Sequence, residues 1–167
     1  MEKIASFKVD HMKLLPGLYV SRIDKVNSEE VITFDIRITK PNGEDVMDTG
    51  SIHTIEHIGA TFLRNNPLWK DKVIYFGPMG CRTGFYLILV NNNYNSNSIV
   101  DIMTEMFIYI QSFEGAIPGA TKEDCGNYSD MNLVGAKYYA KKYLNEVLDN
   151  ITNTRLQYPK KEVEDEE

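Results

Sequence analysis

His53-Thr54-Ile55-Glu56-His57 sets the frame for the rest of the chain. Its spacing is H-x-x-E-H. On a helix, positions i and i+4 lie one turn apart on the same face, so both imidazoles can reach one divalent cation with Glu56 beside them. Two histidines and an adjacent carboxylate equip such a site for acid–base chemistry. The flanks support a helix from about Ile52 to Arg64. Ile55, Ile58, Phe62 and Leu63 fall at apolar spacing, and His53, Glu56, His57 and Arg64 on the opposite face. Ser51 is the expected N-cap, and Asn65-Asn66-Pro67 the stop. Two histidines on a polar helix face are equally compatible with plain solvation, so the motif needs support from elsewhere. The chain has three histidines; the third is His11.

The strands come next. Ile32, Phe34, Ile36 and Ile38 alternate with Thr33, Asp35, Arg37 and Thr39, which predicts a strand with one face on a core and the other polar. Arg37 on that polar face is either a solvated charge or an anchor for a substrate carboxylate or hydroxyl. Further strands are expected over Leu18 to Ile23, Val73 to Phe76 and Thr83 to Val90. After the polar loop Asn91 to Asn97, Ser98 is expected to cap a helix carrying Ile99, Ile102, Met103, Met106 and Ile110. A last helix is expected from about Leu133 to Ile151, with Leu133, Ala136, Ala140, Leu144, Val147 and Ile151 as its apolar stripe.

Size and charge limit the possibilities. The chain has 167 residues, enough for one domain with a sizeable core, and a formal net charge of −6. Lys160 to Glu167 holds five acids and two lysines, so the body is nearly neutral. That disfavours nucleic acid as a partner. One domain over residues 1–151 and a frayed acidic tail over 152–167 are expected. Met1 to Ser6 lacks the apolar core of a signal peptide, and no apolar run is long enough for a membrane span, so a cytoplasmic location is expected.

Cys81 and Cys125 then favour metal or catalytic roles over a disulfide, the bland alternative being burial as small hydrophobes. Cys81 sits in Gly77-Pro78-Met79-Gly80-Cys81-Arg82, where glycines permit unusual backbone or close approach. Arg82 beside it would favour a thiolate able to carry protons or attack. Catalytic sites of this sort commonly use three protein ligands and one open position. Cys125, beside Gly126, is the natural third ligand; Glu123 and Asp124 are oxygen alternatives.

These stretches, with Glu123-Asp124-Cys125-Gly126-Asn127, Gly135-Ala136-Lys137, Ser6-Phe7, Asp10-His11 and Asp35-Ile36-Arg37, resemble S-ribosylhomocysteine lyase, the LuxS family, over about residues 4 to 145. The resemblance implies an α+β fold, an antiparallel sheet with helices packed on one face, related to the H-x-x-E-H metallopeptidases. It implies a homodimer with both active sites at the interface. The metal would be Fe(II), replaceable by zinc or cobalt, on His53, His57 and Cys125. The reaction would cleave S-ribosylhomocysteine to homocysteine and 4,5-dihydroxy-2,3-pentanedione, the autoinducer-2 precursor of quorum sensing, clearing a product of the activated methyl cycle. The sugar carbonyl migrates through enediolates, whose charge a Lewis acid stabilises, before β-elimination expels the thiol. The resemblance gives Cys81 and Glu56 the proton transfers and Ser6, His11 and Arg37 the substrate. Tyr75 and Gly77 depart from it, standing where an acidic residue and a serine are expected. Two rival readings of the same residues are a small H-x-x-E-H metallopeptidase and a non-catalytic, metal-stabilised binding domain with a closed site.

Overall fold

A computed structural model describes residues 7–90 and 93–159. Four strands, β1 (Gly17–Val26), β2 (Glu29–Arg37), β3 (Val73–Pro78) and β4 (Gly84–Val90), form one antiparallel sheet in the order β1-β2-β4-β3. Three helices accompany it: α1 (Thr49–Asn65), α2 (Val100–Ser112) and α3 (Leu133–Glu146). The class is α+β, as the resemblance implies.

Alternation along β2 explains how the layers meet. Ile32, Phe34 and Ile36 point to one face, and Phe85, Leu87 and Leu89 of β4 sit opposite Ile36, Phe34 and Ile32. These side chains share one core with Ile55 and Ile58 of α1, Met103, Met106 and Phe107 of α2, and Ala136, Ala140 and Tyr143 of α3. Each large apolar side chain buried there contributes roughly 1.5–3 kcal/mol.

The opposite face of β2 is not the solvated surface that its polar residues suggest. Asp35 is 1% and Arg37 4% exposed. Their charges satisfy each other, Arg37 Nη2 donating to Asp35 Oδ2 at 2.5 Å. Tyr19 of β1 and Tyr86 of β4 flank Asp35 in register, while Gly17 and Gly84 flank Arg37. Large rings therefore wall the carboxylate, and bare backbone leaves the guanidinium room.

Three boundaries are corrected. Asp48, not Ser51, caps α1: its carboxylate accepts from Ser51 N at 2.9 Å and from Ser51 Oγ at 2.6 Å. Ser98 belongs to a capping box with Asn95 around a 3-10 turn (Ser96–Ile99), and α2 begins only after it. α3 ends at Glu146, giving way to a second 3-10 turn, Leu148–Asn150. Pro67 holds Asn66 in extended backbone and stops α1 as expected.

Part of the expected tail is folded. Leu156 is buried, Ser96 Oγ donates to its carbonyl at 2.9 Å, and Arg155 Nη1 donates to Pro16 O at 2.7 Å. The acidic residues 160–167 lie outside the described residues.

The α1 cap gives a stability prediction. Burial pushes the Asp48 carboxyl pKa up, but hydrogen bonds from the Ser51 side chain and backbone and from Asn132 outweigh it and lower it on balance. A depressed carboxyl stabilises the fold above its unfolded pKa and loses that contribution as pH falls through the folded one. Asp48→Ala should therefore cost about 1 kcal/mol at neutral pH, lowering Tm by roughly 2–4 °C. The gap from wild type should narrow below about pH 4. Equal melting temperatures at pH 7 would show that the cap contributes nothing.

Candidate functional site

The α1 histidines are oriented from behind. His53 Nδ1 lies 3.0 Å from Asp130 O, and His57 Nδ1 lies 2.7 Å from Pro118 O. A carbonyl only accepts, so each Nδ1 carries the proton and each neutral ring keeps its lone pair on Nε2. The two Nε2 atoms face each other at 3.1 Å. Two lone pairs at that distance repel unless a cation lies between them.

Cys125 completes the set. Its Sγ is 3.4 Å from His53 Nε2 and accepts from Asn127 N at 3.4 Å. The three donor atoms lie within 4.8 Å of one another, and among the described residues they are the group able to hold a metal ion. Ligand bonds of about 2.0–2.3 Å at tetrahedral angles put donors roughly 3.3–3.7 Å apart. The two spacings from His53 Nε2, 3.1 Å to His57 and 3.4 Å to Cys125, are near that, and the third stays within 4.8 Å, so the residues fit a cation. Two nitrogens and a sulfur suit zinc- or iron-like metals and leave a coordination position open. The oxygen alternatives do not join the set: Glu123 and Asp124 are exposed, and Asp124 Oδ2 is taken by Thr121 Oγ1 at 3.0 Å.

The loop before α3 makes this geometry. Gly119 has φ +66°, where a side chain would be strained, and a Cβ there would sit 3.4 Å from His57 Nδ1. Asn132 N donates to Thr54 Oγ1 at 2.9 Å and to Gly50 O at 3.1 Å, tying the loop's end to α1. Glu56 is half-buried between the two histidines in sequence.

Cys81 lies elsewhere. It lines a cavity of about 250 Å³ with Phe7, His11, Arg37, Tyr86 and Tyr158, among others; none of the three metal donors borders it. This cavity opens on the Asp35–Arg37 face of the sheet, whereas α1 packs on the other. The cation beside Cys81 is not Arg82, which is exposed and held at φ +59°. Instead Arg37 reaches across from β2. Its Nη1 lies 3.7 Å from Cys81 Sγ and donates to Thr83 Oγ1 at 2.6 Å, while Nε donates to Asp35 Oδ1 at 3.1 Å. Thr83 Oγ1 is also 3.1 Å from the sulfur. Burial would pull the Arg37 pKa down, but the Asp35 charge and hydrogen bond, then Cys81, raise it on balance.

His11 is half-buried at the cavity, with Nδ1 3.1 Å from Val9 O, so the neutral ring presents its lone pair at Nε2. Ser6 lies outside the described residues. Asp35, Thr83 and Tyr158 are site residues not singled out from sequence. A signal existed for two of them: Asp35 is an opposite charge two residues from Arg37 on one strand face, and Thr83 follows Cys81 at the same spacing.

The chain as a whole is similar to known proteins. The family model described as S-Ribosylhomocysteinase (LuxS) matches residues 4–154. The chain belongs to the LuxS family. A protein of Clostridium acetobutylicum named S-ribosylhomocysteine lyase is 58% identical over 159 residues, covering 95% of this chain and 99% of the relative. Proteins of the same name from Clostridium beijerinckii and Phocaeicola vulgatus are 57% and 51% identical, covering 95% and 97% of this chain and 99% and 100% of theirs. The name denotes a carbon–sulfur lyase. Tyr75 and Gly77, expected from the sequence to depart from the LuxS pattern, lie against each other. A Cβ at residue 77 would lie 2.0 Å from the Tyr75 hydroxyl, so any larger residue there would require the exposed Tyr75 ring to move aside. Among the described residues, no helix is long and apolar enough to cross a membrane.

Proposed function

We propose that this chain cleaves S-ribosylhomocysteine to homocysteine and 4,5-dihydroxy-2,3-pentanedione, in the cytoplasm, as a homodimer with two sites at the interface. The observation that carries the proposal is the pairing of two half-sites: an open His53–His57–Cys125 donor set and a separate cavity presenting Cys81 beside Arg37. With the sheet between them, the halves meet most simply when the cavity of one protomer faces the donor set of its partner. Single-site chemistry then needs two chains.

His53, His57 and Cys125 would hold a divalent cation, Fe(II) or a zinc or cobalt replacement, which would supply Lewis acidity to the sugar oxygens. The chain's own residues do the rest. Arg37, fixed by Asp35, offers Nη1 to the substrate beside Cys81. Cys81 removes and returns a proton next to the sugar carbonyl as it migrates along the chain. Glu56, on the metal helix, takes the proton transfers that end in β-elimination of homocysteine. His11 and Ser6 hold the sugar. The diketone product is the autoinducer-2 precursor, and the cleavage clears a product of the activated methyl cycle.

The test is metal-dependent thiol release. Anaerobically prepared protein given S-ribosylhomocysteine should liberate one homocysteine thiol per turnover, stop on chelation and recover when Fe(II) or Co(II) returns. Failure to release thiol with metal bound would remove the proposal, and peptide cleavage in its place would favour the metallopeptidase reading.

A further inference from the structure

Tyr158 lies beyond residues 4–154, which the family model matches, yet it forms part of the Cys81 cavity. Its position is built rather than incidental. Arg155 and Leu156 are tied to Pro16 and Ser96, and the strand start yields to the crossing chain: a Cβ on Gly17 would lie 2.6 Å from Arg155 O. The Tyr158 ring then stacks on Tyr19, with centroids 4.8 Å apart and planes 21° from parallel. This brings its hydroxyl 2.7 Å from Asp35 Oδ2.

An ionised carboxylate only accepts, so the phenol donates. Asp35 thus takes three hydrogen bonds: Arg37 Nε on Oδ1, and Arg37 Nη2 with Tyr158 on Oδ2. A guanidinium is planar and rigid, so once Nε and Nη2 are fixed the direction of Nη1 is fixed as well. That remaining nitrogen is the one beside Thr83 and Cys81. The chain of contacts therefore runs from the C-terminal segment through a buried carboxylate to the group facing substrate.

We infer that Tyr158 is a positioning residue for the lyase reaction, holding Asp35 so that Arg37 is aimed at substrate beside Cys81, and that Tyr158 supplies part of the wall of the substrate cavity. This rests on the proposed role of Arg37 as substrate anchor. Tyr158 reaches the buried charge through its hydrogen bond to Asp35, and its hydroxyl also meets the Ser21 side chain. Its hydroxyl makes no contact with Cys81 or with the metal donors, so binding should suffer more than the chemical step.

Tyr158→Phe keeps the ring and its stack and deletes only the hydroxyl. In the metal-loaded full chain, KM for S-ribosylhomocysteine should rise at least about tenfold, the equivalent of one hydrogen bond to a charged group. kcat should stay within about twofold and metal content should be unchanged. The Arg37 Nε–H resonance in a nitrogen–proton correlation spectrum should shift as well, which a purely structural strap would not require. An unchanged KM in Tyr158→Phe, with Arg37→Ala still raising KM, would overturn the role of Tyr158 and leave the anchor in place. An unchanged KM in Arg37→Ala would overturn the anchor and this inference together.

Discussion

Cys81→Ala should retain its metal and lose turnover by roughly a hundred- to ten-thousand-fold, the range for a positioned proton carrier. The cavity holding Cys81 contains none of the metal donors, so nothing about cation binding depends on the sulfur. Metal analysis of the variant should match wild type, and thiol release should be nearly abolished. Loss of metal would place Cys81 in the ligand set and contradict the division of labour. Mixed dimers sharpen this experiment. If each site pairs Cys81 of one chain with the donor set of its partner, a heterodimer of Cys81→Ala and Cys125→Ala retains one intact site. Random mixing and re-association should then restore about a quarter of wild-type activity from two inactive parents, by the two-fold symmetry of such an interface. Sites confined within single chains would restore none.

Cys125→Ala should lose the metal outright. Even outer partners of a metal site are worth 10–100-fold in affinity, so deleting the only sulfur among three donors should weaken binding by at least about a hundredfold. The folded core should survive, because Cys125 sits in the loop before α3 and is absent from the apolar cluster. Full occupancy after dialysis, measured by metal analysis beside a circular dichroism spectrum like wild type, would take Cys125 off the ligand list.

Local periodicity made much of this legible in advance. The i, i+4 spacing of His53 and His57 placed two donors on one helix face, and the alternation from Ile32 to Ile38 gave the central strand. What stayed hidden depended on partners distant in sequence. Sequence leaves the Asp35–Arg37 face open between solvated charge and substrate anchor because its cover, Tyr158, lies 123 residues beyond Asp35 in a segment whose composition suggests fraying. The guanidinium beside Cys81 was sought at Arg82, its sequence neighbour, but strand pairing brings Arg37 there instead. The α1 cap shifted from Ser51 to Asp48 because both are good cappers, and only the turn's geometry makes one the acceptor and the other the donor. The carbonyls of Pro118 and Asp130, which set the histidine tautomers, are backbone groups with no side-chain signature.

Cobalt substitution tests the central claim most directly. Loaded with Co(II), the wild-type protein should show the intense near-ultraviolet charge-transfer absorption of a cobalt–thiolate bond, absent in Cys125→Ala, and adding S-ribosylhomocysteine should change the spectrum at the open position. No thiolate absorption, or a spectrum that substrate leaves untouched, would contradict an open metal site built from His53, His57 and Cys125.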